Sequence, residues 1–235
     1  MTFTGDIGPR VISDGLIFCL DAISDKCEPY NSDSRINEIT QNETGLVVGG
    51  VAGGLVKLFD GTKYITFNNN IGFDNLFDNI ISNHKFTFEV LIKALQDTPT
   101  DIMGFGSYSP YWGYSVRGTD VDGKYCPHIR YQDATGAWQF GSSSLATIPY
   151  ETWGHVAVTY DGATYKSYIN GELKFSKALN TTGHTDPDSF RLGGTGWTSP
   201  NGNTKYGFWR VYEKALTAQE VAHNYIVTKR TRGVL

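Results

Sequence analysis

The chain is 235 residues long and carries a formal net charge of −4. Its Lys and Arg form no block, which argues against a nucleic-acid or anionic-membrane partner, and no apolar run approaches the ~20 residues of a membrane span. Hydrophobic residues make up 40% and charged residues 19%, enough to bury a real core. Abundant glycine (27) and tyrosine (14), with scarce methionine (2), favour turns and broad aromatic strands over helices.

Met1–Arg10 is polar, contains Gly and Pro, and is predicted to be a loose arm or attachment segment. It lacks the basic start and apolar core of a secretory signal, so synthesis and folding in a cytoplasm are expected. Leu16–Asp21 (LIFCLD) is a short apolar strand, and the polar, irregular Ala22–Asn42 is predicted to be a long surface loop. Leu46–Val48, Leu55–Phe59 and Tyr64–Phe67 are short strands separated by Gly pairs and by Asp60-Gly61. In Phe73–Ser82 the apolar spacing is helical, so a short helix or turn is expected there. Phe86–Leu95 is the longest strand, with Phe86, Phe88, Val90 and Ile92 on one face. Ile102–Phe105 follows, then an aromatic loop at Tyr108–Gly113 (YSPYWG), then strands at Tyr114–Val116, Tyr125–Tyr131 and Trp138–Phe140.

Thr152–Phe175 reads as three consecutive antiparallel strands. Val156, Val158 and Tyr160 alternate with His155, Ala157 and Thr159. Asp161-Gly162 reverses the chain, and Asn170-Gly171 reverses it again, because both residue types accept the positive φ of a tight hairpin turn. A meander with one apolar face needs a second sheet to cover it. Phe190–Leu192 and Tyr206–Tyr212 are the last strands, on either side of a Gly-, Thr- and Asn-rich loop carrying Trp197. The spacing then predicts a helix over Thr217–Thr228, with Thr217 and Glu220 forming a capping box and Leu216 and Val221 a hydrophobic staple. Lys229–Leu235 is a basic tail. With no repeat, linker or charge tract, residues 11–228 are expected to form one domain between arm (1–10) and tail (229–235). About a dozen short strands with turn signals between them indicate an all-β, two-sheet antiparallel sandwich with one short C-terminal helix.

Cys19, Cys27 and Cys126 are odd in number, so at least one is outside any intrachain pair. A Cys19–Cys27 bridge can be drawn, but it runs against the strand pattern, which places Cys19 inside a sheet as a small hydrophobe.

Six segments together resemble the concanavalin A-like lectin/glucanase superfamily, and within it the laminin-G-like jelly rolls. They are GLIFCLDA (15–22), LFDGTKYITF (58–67), FTFEVLIKA (86–94), WGHVAVTYDGATYKSYINGEL (153–173), RLGG (191–194) and FWRVYEKALTAQEVAHNY (208–225). The opening LxxCLDA and the ending YIVTKRTRG resemble versions of the module in bacteriophage structural proteins. The resemblance implies a jelly roll of two curved sheets and sugar or protein binding.

Sheet faces and rim loops of such a fold can offer aromatics for stacking on sugars. The candidates are Tyr108, Tyr111, Trp112 and Tyr114, then Tyr131 and Trp138, then Trp197, each of which could instead pack in the core or along an edge. Trp153 and Trp209 read as core. Hydrolytic relatives carry carboxylates spaced two apart on one strand. Here Phe86–Ala94 holds only Glu89, and Asp120 and Asp122 sit in a Gly-flanked turn, so the chain is expected not to be an enzyme. The resemblance also implies loop-bound calcium, for which Asp60, Asp161 and Asp186 offer oxygen ligands, although Asp60 and Asp161 each precede Gly and suit a turn. The expected role is a carbohydrate-binding or adhesion module on a virion, in a decoration protein or tail fibre, with a cell-surface glycan or receptor as partner. The alternative is a structural piece contacting other virion proteins without sugar. A homo-oligomer is open, with no coiled-coil heptads to impose one.

Overall fold

Phe86, Phe88, Val90 and Ile92 alternate with Thr87, Glu89 and Leu91, and this alternation builds the fold: the first set is buried in a core shared by two sheets. The computed structural model describes residues 10–21, 39–41, 47–48, 57–60, 65–68, 80, 83–95, 100–108, 111–132, 138–141, 146–179, 189–192 and 203–232. Among them, sixteen strands form two antiparallel sheets of eight. One C-terminal helix follows, at Ala218–Arg232. The architecture is a jelly-roll sandwich.

The first sheet runs in the order β14 (Glu172–Ala178), β13 (Thr164–Ile169), β12 (Gly154–Tyr160), β6 (Phe86–Ala94), β16 (Asn203–Tyr212), β4 (Lys57–Asp60) and β3 (Val47–Val48). β1 (Leu16–Asp21) also pairs with β16. The second runs β10 (Trp138–Gly141), β9 (Lys124–Gln132), β8 (Tyr111–Val121), β7 (Thr100–Tyr108), β15 (Ser189–Leu192), β5 (Ile65–Asn68) and β2 (Ile39–Gln41). β11 (Ile148–Pro149) pairs with β9.

The predicted meander is β12–β13–β14. Asn170 and Gly171 have φ of 53° and 79°, as a tight primed hairpin turn requires. Ring contacts such as Tyr206 on Trp209 (4.5 Å) and Phe86 on Phe88 (4.7 Å) fill the core. From the second sheet come Ile102, Val116, Tyr125, Ile129 and Ile148. Trp209 is a core residue, as expected, while Trp153 is only partly buried.

Gly118 is needed for close packing. A Cβ there would lie 1.9 Å from Cζ of Tyr125. That ring is buried and set edge-on against Tyr150, so it cannot swing aside. Gly118→Ala is therefore expected to destabilise the protein by about 1–3 kcal/mol, read as a lowered urea midpoint.

The outer face of the first sheet is covered by the helix. Thr217 Oγ1 accepts from Glu220 N–H (3.2 Å) and Glu220 Oε2 accepts from Thr217 N–H (2.8 Å), completing the capping box. Leu216 and Val221 are buried in one cluster with Ala157, Tyr168 and Tyr212. The helix outruns its predicted end at Thr228 because Val227 and Thr228 are buried and Thr231 Oγ1 donates to the Val227 carbonyl (2.9 Å). The segment before β1 is tied to the same helix: Ile12 N–H donates to Asn224 Oδ1 and His223 Nε2 to the Arg10 carbonyl, both at 2.8 Å. Cys19 is half-buried on β1 and Cys126 is buried on β9. Of the helical reading Phe73–Ser82 only Ile80, which is helical and buried, is described; the rest of it, Cys27, Met1–Pro9 and the last three residues of the tail lie outside the described residues.

Candidate functional site

The segment read as an aromatic loop is a hairpin. β7 continues to Tyr108 and β8 starts at Tyr111, leaving only Ser109 and Pro110 between them. Pro110 and Gly113 disguise the strands in the sequence: the proline lies between them, and Gly113 pairs with Gly106 inside the ladder. The backbone register brings six of the seven aromatic candidates onto four adjacent strands. Tyr108 is opposite Tyr111 and Trp112 opposite Ser107. Tyr114 is opposite Tyr131, and Trp138 opposite Gln132.

The same register divides them between faces, since residues two apart share a face, as do directly opposed residues. Val116 and Ile129 belong to the core. Trp112 and Tyr114 are in step with Val116, and Tyr131 with Ile129, so all three fall on the core-facing set. Tyr111 alternates out of step with Val116, and Tyr108 pairs with it. Trp138 pairs with Gln132, which alternates out of step with Ile129. Tyr108, Tyr111 and Trp138 therefore fall on the outer set. The side chains of all six, and Trp197 altogether, lie outside the described residues.

Asp120 and Asp122 sit at the β8–β9 turn, where Asp122 and Gly123 have φ of 53° and 69°. Asp120 accepts from Gly123 N–H (3.2 Å) and Tyr150 Oη–H (3.1 Å), a turn-fixing role. Asp161 accepts through Oδ1 from Ala163 N–H (3.0 Å) and Thr164 N–H (2.7 Å). Slight burial pushes its carboxyl up, but these amides outweigh that and hold it below the usual carboxylate range. Asp60 ends β4 opposite Asn203; its side chain, and Asp186 altogether, lie outside the described residues. Among the described residues, no three His, Cys, Asp or Glu side chains gather as a metal would require.

Sequence reasoning missed a polar cluster on the outer face of the first sheet, under the helix. Glu89, fully buried, accepts from Arg210 Nη1 (2.9 Å, Oε2), His155 Nε2 (2.8 Å, Oε1) and Asn224 Nδ2 (3.3 Å, Oε2). Asn224 Nδ2 also donates to Tyr212 Oη (3.0 Å), and the Arg210 guanidinium lies 3.8 Å over the Phe208 ring. Burial alone pushes the Glu89 carboxyl up; Arg210 and His155 together outweigh it and lower it to about 2. A glycosidase acid needs the opposite, a raised pKa beside an open cleft. Glu89 is a structural anion. Glu89, His155 and Arg210 stand on three separate strands, and only the strand order makes them neighbours.

A sequence profile of the concanavalin A-like lectin/glucanases superfamily, laminin G type, matches residues 59–222. Comparison with curated proteins finds no match. Among solved structures, the receptor binding domain of botulinum neurotoxin C/D mosaic serotype is 16% identical with a TM-score of 0.67, over 92% of this chain and 52% of that one. The botulinum neurotoxin serotype G binding domain is 14% identical with a TM-score of 0.62, over 92% and 52%. The botulinum neurotoxin serotype D ligand binding domain in complex with N-acetylneuraminic acid is 16% identical with a TM-score of 0.55, over 74% and 42%. The chain thus spans about half the length, or less, of these structures, which share its fold. With the profile covering well over half of the sequence and the sandwich present in the structure, the chain belongs to the concanavalin A-like lectin/glucanase superfamily.

Proposed function

We propose that this chain is a non-catalytic carbohydrate-binding or adhesion module. The observation that carries the reading is the register of the β7–β8–β9–β10 ladder, which sets Tyr108, Tyr111 and Trp138 on one face at one end of a sheet. Aromatic faces at such positions stack on sugar rings, with neighbouring polar groups fixing orientation. Support comes from the family and from structures of the same fold described as receptor or ligand binding domains, one holding N-acetylneuraminic acid. The likeness of the first strand and the C-terminal segment to phage structural proteins supports a place on a virion surface or tail fibre.

A glycan array tests this. Binding by the unaltered protein, reduced about tenfold or more in Tyr111→Ala and Trp138→Ala with the unfolding midpoint held, is the expected result; a stacked aromatic contributes on the order of 1–3 kcal/mol. Silence across the array, with tight binding to a capsid or tail protein, would replace it with the structural reading.

A further inference from the structure

β14 ends the first sheet, and among the described residues β13 is the one strand that pairs with it. At seven residues it is longer than the strands at the other three ends of the two sheet orders, β3, β10 and β2, which have two, four and three. An end strand carries a row of N–H and C=O groups with no ladder partner, and another extended chain can pair with them. The shorter ends offer few such groups; β14 offers a full strand. Leu173 adds an attraction, because its side chain is half-exposed on this strand and an incoming strand would cover part of it.

Three features of β14 oppose that pairing. Leu173 is opposite Tyr168 and Phe175 opposite Ser167, so Lys174 is an extra residue, a β-bulge within the strand. A bulge increases the local twist and breaks the even run of ladder groups that a new strand would need. Lys177 is opposite the core residue Tyr165 and so falls on the core-facing set, yet it is exposed. A strand added beyond β14 would cover this ammonium and take it out of water, a cost that a neutral side chain would not carry. Lys174 is also paired with Glu172 (2.6 Å), which places two more charges on the same edge.

We propose that β14 is a guarded edge, on which the bulge and the lysines prevent antiparallel pairing with β14 of a second copy of this chain. A second copy is the partner that such a guard must exclude first. Its β14 matches in length and pairs with itself about a two-fold axis, continuing two sheets into one. Each copy also brings two lysines against one glutamate, so the meeting edges repel. Copies held close together would then remain separate sandwiches along this edge.

The test uses the whole chain over micromolar to millimolar concentrations, with sedimentation giving the size and amide hydrogen exchange the place of contact. In the unaltered protein, exchange at residues 172–178 should not change with concentration. In the double variant Lys174→Val with Lys177→Val, association should set in at a concentration about tenfold lower or less, with residues 172–178 gaining protection as it does. Arginine at both positions keeps the charge and should behave as the unaltered protein. Deletion of Lys174, which removes the bulge, should act in the same direction as the valine pair. Protection of 172–178 that rises with concentration in the unaltered protein would overturn the inference. Folded valine variants that do not associate through β14 would overturn it as well. If the double variant does not fold, Lys177→Val alone, which leaves the bulge in place, is judged by the same two readouts.

Discussion

Arg210→Met should lower the stability of this protein by about 3–5 kcal/mol, because it strands the Glu89 carboxylate in the interior without its strongest partner. Domains of this kind hold only about 5–15 kcal/mol in total, so the loss would show as a large drop in urea midpoint. Arg210 stacks on Phe208 and is itself buried. Methionine keeps much of that volume, so the measured cost reports the lost charge more than a cavity. Replacing both partners, Glu89→Leu with Arg210→Met, should recover much of the loss, since a well-packed apolar pair often equals a buried ion pair. A single-variant cost below about 1 kcal/mol would show that Glu89 is not held as an anion.

Acid should remove the same stabilisation. Glu89 titrates near 4.5 in an unfolded chain and at about 2 in the folded one. Its contribution is therefore complete above about pH 4.5 and is lost as pH falls through about 2, because the unfolded state binds the proton first. The difference corresponds to roughly 3 kcal/mol. Stability measured from pH 7 down to pH 2, for the unaltered protein and for Glu89→Gln, separates this carboxyl from all others. The unaltered protein should show the steeper acid limb. Parallel curves would place the acid sensitivity elsewhere.

Much of the architecture is legible in local pattern. Phe86–Ala94, Gly154–Tyr160 and the Asn170-Gly171 turn carry period-two and turn chemistry that nothing overrides. Thr217 and Glu220 announce the helix start in four residues. The extent of β7 and β8 is not legible, because Ser109-Pro110 and Gly113 look like a broad loop when the pairing partner is unknown. The division of the aromatics between faces is equally hidden. It depends on which neighbours of Trp112 and Tyr111 are buried, and only the assembled ladder says so. Glu89, His155, Arg210 and Asn224 span more than a hundred positions and meet only because β12 and β16 flank β6. No spacing rule reports that meeting.

The tether between Arg10, Ile12 and the His223–Asn224 turn of the helix has a consequence for how the sandwich is presented. Arg10 and Ile12, at the start of the described residues, are bonded to the second turn of the helix, on the outer side of the first sheet where Asn224 also reaches Glu89. The face on which the register sets Tyr108, Tyr111 and Trp138 belongs to the other sheet, on the far side of the sandwich from this tether.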